Sequence, residues 1–286
     1  MAQGKEIRSK IRSVQSTQKI TRAMQMVAAA KMRKAQDHMQ AARPYADRLL
    51  AVMSHFRAAH PEYRHPFFAV RTVRRAGLLV VSSDRGLAGA LNANVLRAAV
   101  GCLREWQEEG VEGDIGLYGN KAAAYFRRLQ APVVAQQAPL GERPALEDIL
   151  GVTKVMLDAY REGRIDRLVI VFNRFENAML QRPVIETVLP LPEPSGQEFA
   201  HWWDYLYEPD ARSVVDTAFE RYIETRIYGA ILENQASEQA ARMVAMRAAT
   251  DNAGRLIADL RLAYNKARQA AITQELAEIV SGASAV

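Results

Sequence analysis

Apolar positions near the N-terminus recur at spacings of four and three: Ile7, Ile11 and Val14, then Ile20, Met24 and Val27 on a drifting face. That spacing predicts a helix with a narrow apolar stripe, the kind that packs along a single seam. Pro44 is expected to kink or interrupt this helix, and Pro61 and Pro66 to end it. At the other end, Val215, Phe219, Tyr222, Ile223, Ile227 and Ile231 lead through an Ala-rich run to Leu256, Leu260, Ala263, Ala267 and Ile272. One helix is predicted from about residue 210 almost to the C-terminus, on the order of 100 Å long at about 1.5 Å per residue. Between the two, the pattern shortens to apolar runs bounded by turn residues: "GLLVVSSD", "GDIGLYG", "PVVAQQ", "RLVIVFNRF" and "RPVIETVLPL". These read as about five strands, and the helical segments between them predict an α/β layered domain with a partly parallel sheet.

Glycine and proline agree with that division. No glycine lies between Gly4 and Gly77, no proline follows Pro209, and 12 of the 16 glycines fall from Gly77 to Gly196. Each terminal helix has a stripe that the middle of the chain does not cover. Pairing them as an antiparallel coiled coil satisfies both.

Charge is unevenly spread. Up to Arg57 there are twelve Lys and Arg against only Glu6, Asp37 and Asp47, whereas the whole chain of 286 residues nets +6, so the remainder is net acidic. The basic first segment calls for an acidic partner, and composition alone leaves nucleic acid, anionic lipid and an acidic protein surface open. The single cysteine, Cys102, rules out an internal disulfide and a CxxC pair, which suits a reducing compartment. No apolar run reaches the length needed to span a bilayer, and the N-terminus lacks the apolar core of a signal peptide.

Candidate chemistry is sparse. "SSDRGLAGALN" (82–92) sits between a strand and a helix, where a phosphate-binding loop would lie, but it has neither the GxGxxG nor the GxxxxGK[ST] spacing. A tight turn, with Asp84 or Asn92 capping nearby backbone, is the favoured reading, and "GLYGNK" (116–121) is likewise read as a capped turn. His55, His60 and His65 fall on different faces around two prolines and read as linker residues rather than metal ligands. The carboxylates of "REWQEEG" and of Glu275 and Glu278 read as solvated helix faces, and no nucleophile elbow or Ser/His/Asp order is present. An enzyme is disfavoured; a coiled-coil nucleic-acid-binding protein is the alternative reading of the basic helix.

Five stretches together resemble the gamma subunit family of F-type ATP synthases: "KEIRSKIRSVQSTQKITRAMQMVAAAKMRKAQ", "SSDRGLAGALN", "DYLYEPDA", "ASEQAARMVAMRAATDNAGRLI" and "YNKARQAAITQELAEIVSGASAV". The resemblance covers essentially the whole chain. It implies an α/β fold class: a long antiparallel coiled-coil shaft from residues 1–60 and 210–286, plus a central Rossmann-like α/β foot domain, 70–209, with no cofactor. It implies a non-catalytic rotor whose tip enters a ring of three alpha and three beta subunits, with Leu276, Ile279 and Val280 in an apolar bearing. Residue by residue, it implies that Arg22, Met24 and Lys31 face the beta lever region. Glu238, Arg242, Arg268, Gln269, Thr273 and Glu275 would make polar contacts within the shaft and with beta loops. Tyr205, Tyr207 and Glu208 would meet the epsilon subunit and the membrane c-ring, with a structural turn as the rival reading. No nucleic acid and no small-molecule substrate are implied. The implied location is peripheral, on the cytoplasmic face of the cell membrane. Chloroplast members of the family carry a cysteine pair that is missing here, so no thiol regulation is expected.

Overall fold

The computed structural model describes residues 2–59, 65–191 and 210–283. Helix α1 (Ala2–Ala59) and helix α5 (Ala211–Ala283) flank an α/β core of β1 (Arg75–Val81), α2 (Leu91–Glu108), β2 (Glu112–Tyr118), α3 (Asn120–Arg128), β3 (Val133–Gln137), α4 (Leu146–Arg161), β4 (Arg167–Phe175) and β5 (Gln181–Leu189). The chain forms two compact units that divide within both long helices: residues 1–29 with 242–286, and residues 30–241. Helix α1 ends at Ala59 and helix α5 begins at Ala211. Helix α1 runs through Pro44, which was expected to kink or interrupt it, and is not interrupted there. A proline removes one amide donor from the ladder, and the bonds on either side are enough to carry a helix of 58 residues across the gap.

In the unit of residues 30–241 the sheet order is β3-β2-β1-β4-β5. Strands β3, β2, β1 and β4 pair in parallel, and β5 closes the far edge antiparallel to β4. Alternation along β1 explains the two layers. Leu78 and Val80 join Val95, Ala99, Phe126, Ile115 and Leu117 beneath α2 and α3, whereas Leu79 and Val81 face a second core. That second core contains Ile149, Val152 and Met156 of α4, Met53 and Phe56 from the end of α1, and Val215, Phe219, Ile223 and Ile227 of α5. The long helices are therefore part of the α/β core.

His65 departs from its reading as a linker residue. It is buried, its Nδ1 accepts the Phe67 amide at 3.1 Å, its Nε2 lies 3.3 Å from Asp216, and its ring packs on Phe67 and Phe219. It caps the short 3-10 turn Pro66–Phe68. His60 lies outside the described residues.

In the unit of residues 1–29 and 242–286, the covered positions of α1 include Ile7, Ile11, Val14, Gln18, Thr21, Gln25 and Ala28, and those of α5 include Met246, Thr250, Ala253, Ile257, Leu260, Tyr264, Ala267 and Ala271. Both series step by four and three without drift. This is a heptad seam, the pattern of a left-handed coiled coil. Gln18 reaches the Thr250 carbonyl at 3.4 Å and would be met by a Cβ on Gly254, while the Thr21 hydroxyl meets that of Thr250 at 2.8 Å. Moving forward on α1 thus moves backward on α5, so the pair is antiparallel. The expected continuation of the seam through Ile20 and Val27 is corrected, since both are exposed, whereas Met24 is partly covered like Ile7, Ile11 and Val14. On α5, Leu256, Ala263 and Ile272, expected on the stripe, are exposed as well. The middle of the seam is made of small and polar side chains that hydrogen-bond across it, so the most hydrophobic residues of that stretch do not mark the packed face.

Candidate functional site

The carboxyl ends of the parallel strands are where an α/β sheet of this order would take a nucleotide, in the crevice beside β1 where the strand order reverses. Three features occupy that crevice. The Asp84 carboxylate, just beyond β1, accepts the amides of Asn120, Leu140 and Gly141 at 2.9 to 3.0 Å. Ser82 Oγ accepts the amide of Ala122, and the Ser83 carbonyl accepts that of Lys121, so the first amides of α3 are already bonded. From the other side, Asn234 of α5 accepts the Asn173 amide, and Ser237 donates to the Asn173 carbonyl. A recess of only about 20 Å³ is left among Ser82, Asp84, Gly141, Ile231 and Glu238. The amide donors a phosphate would need are bonded to the chain's own groups. The capped-turn reading of Asp84 and Asn92 holds, since Asn92 accepts the Ser83 amide at 3.0 Å. Gly119, in "GLYGNK", has a φ of +89°, and a Cβ there would lie 2.3 Å from the Ser82 carbonyl oxygen.

The surfaces left open are on the long helices. Arg22, expected as a partner contact, lines a wide groove of about 860 Å³ with Gln18, Gln25, Arg247, Asp251 and Arg255. Arg247, Asp251 and Arg255 follow one another at four-residue steps on a single face of α5. Sequence reading missed all three, although their charge periodicity was available as a signal. Three guanidinium groups against one carboxylate give this groove a net positive charge. Met24 is half-covered nearby on α1. Lys31 does not point freely outward: in the unit of residues 30–241 its ammonium is held 2.5 Å from the Glu142 carboxylate.

Arg268, Gln269, Thr273, Glu275, Leu276, Ile279 and Val280 are all exposed. The antiparallel register, carried along both heptads, sets Val14 beside Ile257, Ile11 beside Leu260 and Ile7 beside Tyr264. Leu276 is 57% exposed, and Ile279 and Val280 are 67% exposed. Glu238 and Arg242 are partly covered and lie in different units. Tyr205, Tyr207 and Glu208 lie outside the described residues.

Among the described residues no helix is long and apolar enough to cross a membrane, and no group of His, Cys, Asp and Glu is arranged to hold a metal ion. The Cys102 thiol is buried on α2, and burial, followed by the neighbouring Glu105 charge, pushes its pKa up to about 11.

Comparison with known proteins agrees with this arrangement. The family model described as ATP synthase matches residues 3–286. The ATP synthase gamma chain of Nitrosococcus oceani is 56% identical over 289 residues, covering 100% of both chains. Among solved structures, a chain of the Euglena gracilis mitochondrial ATP synthase in its OSCP/F1/c-ring assembly, rotational state 3, aligns with a TM-score of 0.68 at 21% identity, over 99% of this chain and 94% of that one. A chain of the Euglena rotor in rotational state 1 gives 0.65 at 21% identity, over 95% and 99%. A chain of the Tetrahymena thermophila central stalk and c-ring gives 0.60 at 20% identity, over 80% and 99%. The nucleic-acid alternative finds no support in any of these. A whole-length match to the family model and to a gamma chain at this identity means that the chain belongs to the ATP synthase gamma-chain family.

Proposed function

We propose that this chain is the central rotor shaft of an F-type ATP synthase. It couples ion-driven rotation of a membrane c-ring to the conformational cycle of three catalytic beta sites. The observation that carries the reading is the antiparallel seam of helices α1 and α5, with exposed Leu276, Ile279 and Val280 toward the end of α5. Such a tip needs a sleeve, and a ring of alpha and beta subunits supplies one.

The mechanism rests on shape and differential contact. A helix pair without threefold symmetry inside a ring of three equivalent sites meets each site through different residues. Each orientation therefore favours a different conformation at each site, to the extent that its contact energies differ between those conformations. The groove of Arg22, Arg247 and Arg255 offers a cationic face to an acidic loop of beta. Met24, Glu238 and Arg242, followed by Arg268, Gln269, Thr273 and Glu275, offer contacts further along the helices. Leu276, Ile279 and Val280 supply a low-friction apolar end. No reacting group is required of this chain, whose role is coupling and regulation. The segment with Tyr205, Tyr207 and Glu208 would serve the epsilon subunit and c-ring, and the complex would hold the chain at the cytoplasmic face of the membrane.

Co-expression with alpha and beta subunits of the same organism tests the reading. A stable complex is expected, with one copy per three alpha and three beta subunits, and with ATPase activity that drops when residues from Arg268 onward are removed. A folded chain that fails to associate would refute it.

A further inference from the structure

Strand β4 runs past the end of β1. The two pair from Ala76 with Arg167 to Val80 with Val171, and β1 ends at Val81, whereas β4 continues to Phe175. Where β1 has ended, three side chains of α5 bond to the backbone of β4, all within the unit of residues 30–241. Asn234 Oδ1 accepts the Asn173 backbone amide at 3.2 Å and the Asn173 side-chain Nδ2 at 2.8 Å. Ser237 Oγ donates to the Asn173 carbonyl at 3.0 Å, and Glu233 Oε1 accepts the Phe175 amide at 3.2 Å. Asn173, Asn234 and Ser237 are buried. A helix is thus bonded sideways into the sheet, in the place a longer strand would take.

The arrangement has a cost. The Asn173 backbone amide requires an oxygen opposite it, so Asn234 presents Oδ1, and Asn173 presents Nδ2 to that same oxygen. Flipping either side-chain amide alone would set donor against donor or acceptor against acceptor. Asn173 Oδ1 is therefore turned away, and it is the one buried side-chain nitrogen or oxygen without a hydrogen-bond partner among the described residues. A leucine at position 173 would carry no such orphan, so stability does not account for the asparagine. Register does: a buried polar contact is satisfied in one alignment only, whereas the apolar packing of Val215, Phe219, Ile223, Ile227 and Ile231 along the preceding turns of α5 is non-directional.

From these contacts we propose that the latch of Asn173, Asn234 and Ser237 is the joint that passes torque between the sheet and α5. The inference rests on the rotor reading, in which rotation enters through the α/β unit and leaves along α5. Turning the sheet against the helix moves β4 past Asn234 and Ser237. Apolar contacts can slide under that load, but the hydrogen bonds resist until they break. Asn173, Asn234 and Ser237 are in this sense positioning residues, holding one angle between the part that is driven and the part that acts on the ring.

The test uses the assembled complex of this chain with alpha and beta subunits, the ring fixed to a surface and a bead attached through Met179→Cys, in the exposed turn between β4 and β5. The readout is the thermal angular spread of the bead within each dwell. It is compared for Asn173→Leu, for Ser237→Ala, for Asn234→Leu with Ser237→Ala, and for Thr153→Val, which removes a buried hydroxyl bonded to Tyr118 and Ile149 and leaves the bonds of α5 alone. The angular variance is expected to rise about twofold or more in the double variant, where both side chains that bond the Asn173 backbone are gone, and by less in each single variant of the latch. Asn173→Leu is expected to broaden the dwells while unfolding at or above the natural midpoint, a combination that a merely stabilising contact would not give; it decides the matter if the double variant fails to assemble. Thr153→Val is expected to keep the natural spread. Natural dwell widths in Asn173→Leu and in the double variant would overturn the latch alone, as would equal broadening in Thr153→Val. A natural complex that does not rotate would overturn the rotor reading and the latch with it.

Discussion

The hydroxyl oxygens of Thr21 and Thr250 lie 2.8 Å apart across the seam between α1 and α5, so one of them donates to the other, and the accepting hydroxyl is left to donate to the carbonyl within its own helix, Gln18 for Thr21 or Met246 for Thr250. Two threonines thus occupy a layer where a coiled coil ordinarily holds leucine. Replacing either one with valine keeps the shape and removes one partner, at an expected cost of about 1 kcal/mol. The double substitution is expected to cost less than the two singles together, because no hydroxyl is then left facing an apolar neighbour. Denaturant unfolding of the four proteins measures the coupling; strictly additive losses would show that the hydroxyls do not interact.

Asp84 holds three separate pieces of backbone through the amides of Asn120, Leu140 and Gly141. Asp84→Ala strips the acceptor from all of them and is expected to destabilise the fold by about 2 kcal/mol, the scale of hydrogen bonds to a charged group. Asp84→Asn keeps one acceptor oxygen and is expected to lose less. Equilibrium unfolding in urea gives the comparison, and an unchanged midpoint for Asp84→Ala would remove the loop's anchoring role.

Gly119 is required twice over, by its φ of +89° and by the Ser82 carbonyl oxygen that a Cβ would meet at 2.3 Å. Gly119→Ala is expected to cost about 2 to 4 kcal/mol from backbone strain and the collision together. A melting scan of the purified variant checks this; a transition at the natural temperature would mean that the turn can relax.

Alkaline pH gives a further check. Burial pushes the Cys102 thiol up to about 11, whereas in an unfolded chain a thiol ionises near about 8.5. Between those values the unfolded state binds fewer protons than the folded one, so stability falls as pH rises. Below that window the thiol contributes no pH dependence. Cys102→Ala is expected to flatten the part of the decline that Cys102 causes, leaving the higher-pH decline from Tyr118, whose phenol is also raised by burial. Unfolding midpoints from pH 8 to 11 follow this, and identical slopes in both proteins would contradict it. The same burial keeps the natural thiol slow to alkylate in the folded chain.

The order of elements was legible because it rests on periodicity and punctuation: apolar runs of strand length, two ends almost free of glycine, and glycines gathered in the middle. Asp84 as a capping residue was legible from its place between a strand and a helix. The seam was harder to read. Ile20 and Val27 outrank Gln18 and Thr21 in hydrophobicity, yet the latter pair is inside, since close helix approach at Gly254 favours small and hydrogen-bonding side chains over bulk. His65 was misread because its burial depends on Phe219 and Asp216, more than 150 residues away in the chain, which no local pattern encodes. Arg247, Asp251 and Arg255 could have been found by charge spacing, but their meeting with Arg22 depends on the antiparallel register.

The central claim is that this chain turns inside a ring, and direct observation of turning tests it best. Met179, on an exposed turn at 72% exposure, can be replaced by cysteine and labelled selectively, because Cys102 is buried and its thiol is held protonated. With the alpha and beta subunits fixed to a surface and a bead attached at position 179, the account predicts stepwise rotation in one direction on addition of ATP, with three equivalent dwell positions per turn. A bead that only fluctuates about one angle, in a complex that hydrolyses ATP at its full rate, would contradict it.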